Sequence, residues 1–109
     1  MSDTRFRVTI GNKHWRVEFC RVREAPVLRD ADGACDSPDA TGKRLIFRRG
    51  LLQRPRRLLT VAIHEALHAA DWTKDETEWV EPIAEDIARL LWKIGFRLVP
   101  TDAKNSADA

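Results

Sequence analysis

Only two cysteines, Cys20 and Cys35, occur in this 109-residue chain. That is too few for the disulfide framework of a small secreted domain, and they read as free thiols in a reducing compartment. No apolar segment follows Met1-Ser2-Asp3-Thr4-Arg5, so the pattern of a signal peptide is lacking. No apolar run approaches the ~20 residues needed to cross a bilayer. The expectation is a cytoplasmic protein with no membrane partner. Glycine and proline, five of each, are too scarce to indicate disorder. The run Asp30-Ala31-Asp32-Gly33 lacks EF-hand spacing and reads as turn chemistry. Thr41-Gly42-Lys43 lacks the upstream glycine of a phosphate-binding loop. There is no internal repeat.

What is present suits one soluble domain with a modest core, at 43% hydrophobic and 33% charged residues. A net charge of +2 names no partner, but its distribution is uneven. Lys43, Arg44, Arg48, Arg49, Arg54, Arg56 and Arg57 crowd one stretch, and Asp71, Asp75, Glu76, Glu78, Glu81, Glu85 and Asp86 the next. Two solvated faces of opposite sign are the favoured reading, and a nucleic-acid face the less favoured one.

Alternation places Phe6, Val8 and Ile10 on one face of a strand, and Trp15, Val17 and Phe19 on one face of another spanning 14–22. The Gly11-Asn12 turn joins them as a hairpin. Residues 30–43 read as a loop and Leu45-Ile46-Phe47 as a third strand. Pro55 suits the first turn of a helix reaching about Asp71, with Leu59, Ala62, Ile63, Ala66, Leu67 and Ala70 as its buried stripe. A second helix over about 78–95 carries Trp79, Val80, Ile83, Ile87, Leu90, Leu91 and Ile94, and Gly95 stops it. Trp15, Trp72, Trp79 and Trp92 are assigned to the core by default. The fold class is therefore α+β. A small N-terminal antiparallel sheet of about three strands packs on two main helices in one domain over 1–99, and 100–109 form a flexible tail.

Of the three histidines, two fall in the pentapeptide His64-Glu65-Ala66-Leu67-His68. On a helix the i, i+4 spacing stacks both imidazoles on one face, where they can grip one Zn²⁺. They lie roughly 100° and 140° round from Ile63, at the border between stripe and solvent, where substrate can reach a metal. Glu65 is the expected general base toward a zinc-bound water. The remaining histidine, His14, reads as an ordinary strand or turn residue.

The carboxylates after the motif are the better candidates for a third ligand. Glu81 ranks first, at the flank of the second helix. Asp71, one turn past His68, and Glu85, four residues past Glu81, are the alternatives. Pro82 directly follows Glu81 and disfavours helical geometry there, so the helix either begins near Glu81 or kinks. A Thr73–Glu76 capping box would start it earlier and favour the kink.

The run Ile63 to Ala69, followed by Glu81-Pro82-Ile83-Ala84-Glu85, resembles a minimal gluzincin. More narrowly it resembles small phage and bacterial metallopeptidase-like proteins related to the ImmA/IrrE group. The resemblance covers residues 44–96. It implies a zincin-like fold, His64, His68 and Glu81 as zinc ligands, Glu65 as base and Glu85 as a supporting partner. It also implies an edge strand at Leu45 to Arg48 that binds extended peptide. The function expected is a zinc-dependent metallopeptidase acting on a peptide or protein substrate. The competing expectation is a non-catalytic, zinc-braced binding module whose Arg44–Arg57 basic patch contacts nucleic acid or an acidic protein.

Overall fold

The computed structural model describes residues 5–99; the tail from residue 100 and the first four residues lie outside them. Strands β1 (Arg5–Ile10) and β2 (Lys13–Cys20) form the expected hairpin, in register from Arg5↔Glu18 to Ile10↔Lys13. Gly11 and Asn12 both take positive φ, 59° and 63°, as the two central residues of a type I′ turn must.

The sheet has four strands rather than three, in the order β1-β2-β4-β3, and it is mixed rather than antiparallel. β4 (Arg44–Arg48) runs parallel to β2, and β3 (Gly33–Cys35) antiparallel to β4. β3 lies inside the stretch that reads as loop, because Gly-Ala-Cys has neither the length nor the alternation of a strand. Its placement makes β4 central, so the Leu45–Arg48 edge expected from the sequence is instead an interior strand. The sheet's outer edge on that side is β3.

Helix α1 (Pro55–Ala70) lies on the sheet and also packs against α2 (Glu81–Ile94). Its most buried apolar positions are Leu58, Val61 and Ala69, which join Trp15, Val17, Leu45, Phe47 and Leu51 in the main core. The expected stripe is thus rotated: Leu59, Ala62, Ile63, Ala66 and Leu67 are only half-buried and Ala70 is exposed. A helix gripped on two sides has no single stripe, and apolar periodicity averages the two directions. One buried position on the sheet side, between Val61 and Ala69, is Glu65.

α2 meets its neighbours through Ala84 and Ala88, both 0% exposed, so the small residues allow close approach as expected. Its large apolar residues are mostly not core. Leu90 and Ile94 are 58% and 63% exposed, while Gly95, at φ 116°, closes the helix. Among the tryptophans only Trp15 is buried, its Nε1–H donating to Ile10 O at 3.3 Å. Trp79 and Trp92 are half-buried and Trp72 is exposed, which corrects the default assignment of all four to the core.

Candidate metal centre

α1 carries His64 and His68 on one face with ring centroids 5.1 Å apart, as the i, i+4 spacing demands. The helix ends at Asp71, whose carboxylate accepts from Thr73 N–H (3.1 Å) and Thr73 Oγ1–H (2.6 Å). These bonds, the side-chain one foremost, hold the Asp71 carboxyl below its ordinary value. Asp71 therefore fixes the reversal of the chain and is not turned to the imidazoles.

The chain re-enters a helix at Asp75, which accepts from Glu78 N–H at 2.6 Å as an N-cap. The capping box expected between Thr73 and Glu76 does not form; Asp75 takes that role one residue before Glu76. The first turn, Glu76–Val80, is a π-turn. Val80 N–H donates to Asp75 O, and Glu81 N–H to Glu76 O, each five residues back. Pro82 explains the wide turn. It has no N–H to give the carbonyl of Glu78, and its ring collides with that carbonyl in an ordinary α-helix. Glu81 keeps helical geometry (φ −61°, ψ −52°) because the π-turn absorbs the mismatch. α2 thus begins at Glu81, one of the two expectations, and the π-turn runs into it in helical geometry.

This wide turn aims Glu76 at both imidazoles. Its Oε1 lies 2.8 Å from His64 Nε2, and its Oε2 lies 2.6 Å from His68 Nε2. The three side chains each offer a donor atom, all within 4.8 Å of one another. Two imidazole nitrogens and a carboxylate oxygen are donor atoms of the kind that protein metal sites use. His64, His68 and Glu76 can hold a metal ion.

Glu81, the first-ranked third ligand in the sequence, is exposed at the head of α2 and is not part of this group. Glu85 is also outside it, lining a separate cleft with Arg54, Arg56, Thr60 and Trp92. The signal that favours Glu76 over Glu81 was present in Pro82: a proline one residue on forces the preceding turn open and redirects its acids. His14 sits on β2, with Nδ1 3.2 Å from Thr9 Oγ1, an ordinary strand position.

Glu65 lies one residue from His64 but points inward, 7% exposed, beneath Gly33 of β3. It has no hydrogen-bond partner among the described residues. Burial pushes its carboxyl up to about 7; His64 opposes the rise and Glu76 adds to it. Glu65, His64 and Glu76 share a pocket of about 200 Å³ with Gly33, Asp32 and Arg57. Burial, then the charges of Glu65 and Asp36, push the thiol of Cys35, at the far end of β3, up to about 12.

No family model matches this chain, and no curated protein or solved structure matches it either. The site must be read from its own geometry.

The basic stretch is largely engaged within the fold. Arg44 pairs with Glu18 at 3.6 Å and Asp36 at 3.5 Å, and Arg56 donates to Thr60 Oγ1 at 2.6 Å. Arg48 and Arg57 both face Asp32, at 3.9 and 3.0 Å. Arg48 Nη2 also donates to Leu28 O. No helix among the described residues is long and apolar enough to cross a membrane.

Proposed function

We propose that this protein is a zinc-dependent hydrolase of peptide bonds. The observation that carries the reading is the pairing of a His64–His68–Glu76 donor set with a buried carboxylate, Glu65, that has no partner and opens into the same pocket. Two imidazoles and one carboxylate suit zinc better than the all-oxygen sets that select calcium or magnesium. Bound zinc would supply Lewis acidity and make a nucleophile from water near neutral pH.

The chain's own residues supply the remainder. His64 and His68 would hold the metal through Nε2, the atom each turns to Glu76. Glu65, with its carboxyl raised to about 7, suits a group that takes a proton from water and returns it to a leaving amine near neutrality. Val61 and Gly33 wall one side of the Glu65 carboxylate and limit water around it. β3 offers a place for an extended substrate. Asp36 N–H donates to Arg44 O (3.0 Å) and Arg48 N–H to Asp32 O (2.8 Å). Antiparallel alternation then turns the Gly33 and Cys35 backbone groups away from β4, to the outer edge beside Glu65.

The test is metal analysis of the purified protein beside a Glu65→Gln variant. Near one zinc per chain is expected for both, with peptide hydrolysis lost in the variant. Zinc-free protein under non-chelating conditions, or full activity in Glu65→Gln, would sink the proposal.

A further inference from the structure

Among the described residues, the pocket beside the metal donors has one arginine or lysine in its lining, Arg57. It stands on α1 seven residues before His64. Two helical turns bring it back to within ~20° of the same face, about 10 Å away along the axis. Asp32 takes only its Nε, at 3.0 Å, so the two Nη groups have no partner among the described residues. Asp32 also faces Arg48 at 3.9 Å. One carboxylate therefore serves two guanidinium groups, of which only Arg57 lines the pocket, so Arg57 is neutralised in part. The same pocket holds Glu65 and Glu76.

Arg57 is held but not satisfied. Asp32 fixes the plane of its guanidinium through one nitrogen, and the remaining edge is the face that grips a carboxylate with two parallel N–H donors. Arg57 and the metal donors line one pocket of about 200 Å³, and an extended peptide advances ~3.3–3.6 Å per residue, so one short peptide segment can reach both. We propose that Arg57 selects peptides bearing a carboxylate within a few residues of the bond that is cut; this rests on the hydrolase reading above. The carboxylate belongs to an acidic side chain or to the peptide's own C-terminus, and both present the same group to the guanidinium.

Binding to the zinc-loaded Glu65→Gln protein separates these cases without relying on turnover. Three peptides of one backbone serve as probes: one amidated with a single aspartate, one neutral with a free C-terminus at the same distance, and one neutral and amidated. At least one carboxylate peptide is expected to bind roughly tenfold more tightly than the neutral one, the half-exposed arginine giving less than a buried pair. Which of the two gains identifies the source. Adding Arg57→Ala should bring that ratio to about one. Arg57→Lys should keep part of it, and Arg54→Ala should leave it unchanged. A fold disturbed by loss of the Asp32 pair weakens all three peptides together and leaves the ratio intact, so the ratio reports recognition itself.

A wild-type-like ratio in Arg57→Ala overturns the proposal. So does a ratio near one before Arg57 is changed, or failure of all three peptides to bind. A carboxylate preference lost in Arg57→Ala, alongside a wild-type protein that holds zinc and cleaves nothing, supports Arg57 as the anchor and removes the hydrolase reading.

Discussion

Glu65→Gln should make the metal-free protein more stable, and by an amount that grows with pH. The carboxyl is 7% exposed, has no hydrogen-bond partner among the described residues, and takes its proton near pH 7 instead of 4.5. Its folded-state value is raised, so wild-type stability is fully present below about pH 4.5 and lost as pH climbs through about 7. At about 1.4 kcal/mol per tenfold, the penalty of the ionised group is roughly 1 kcal/mol at pH 5 and about 3 kcal/mol at pH 8. Glutamine has nearly the same shape and no charge to bury, so it escapes that penalty. Urea unfolding with a chelator present, followed by tryptophan fluorescence at both pH values, measures the gap. It should widen by about 2 kcal/mol from pH 5 to pH 8. Saturating zinc should then narrow it, because a cation beside Glu65 favours the ionised form. Unfolding curves that differ equally at both pH values would refute the claim that burial holds this carboxyl up.

Glu76→Ala should weaken zinc binding at least tenfold by competition with a chromophoric chelator, while Glu81→Ala leaves it within twofold, since only Glu76 reaches both imidazoles. Gly33→Ala should cost about 1–3 kcal/mol in denaturant unfolding, because the added methyl would sit 2.9 Å from Val61 Cγ1 and 3.2 Å from Glu65 Cγ. Its backbone needs no positive φ, so Gly33→Ser should fare no better than alanine; recovery by serine would point away from crowding. Asp75→Ala removes the cap that accepts from Glu78 N–H and should cost about 1 kcal/mol. It should also reduce zinc affinity by loosening the turn that bears Glu76.

The hairpin, both helices and the two histidines were legible because each rests on local chemistry. A glycine–asparagine turn, an i, i+4 pair and a proline at a first helical turn act over a few residues. β3 was illegible for the opposite reason. Three residues, Gly33-Ala34-Cys35, become a strand only because β4 is there to pair with and because a residue without a side chain fits over Glu65. The inward face of Glu65 was hidden too. A charged residue next to a ligand reads as solvent-facing, and only the packing of α1 on the sheet, with Gly33 of β3 over Glu65, turns that position into the interior.

The third donor shows how a local rule can be applied at the wrong distance. Pro82 was legible as a disturbance at Glu81, and the natural inference was a start or kink at that residue. In the structure α2 does start at Glu81, and the disturbance also reaches five residues further back, to Glu76. Glu81 remains helical, and the unmet bond is transferred back to Asp75 and Glu76 as five-residue hydrogen bonds. A π-turn is wider than an α-turn, so its first side chain leaves the helix in a direction that α geometry would not give it. Glu76 is that side chain. Val80, fully buried at the far end of the turn, anchors it against the fold. Asp75 caps it from the front. Between these two fixed points the exposed Glu76 carboxylate reaches His64 and His68 together. The proline that seemed to weaken one candidate ligand thus accounts for the position of another.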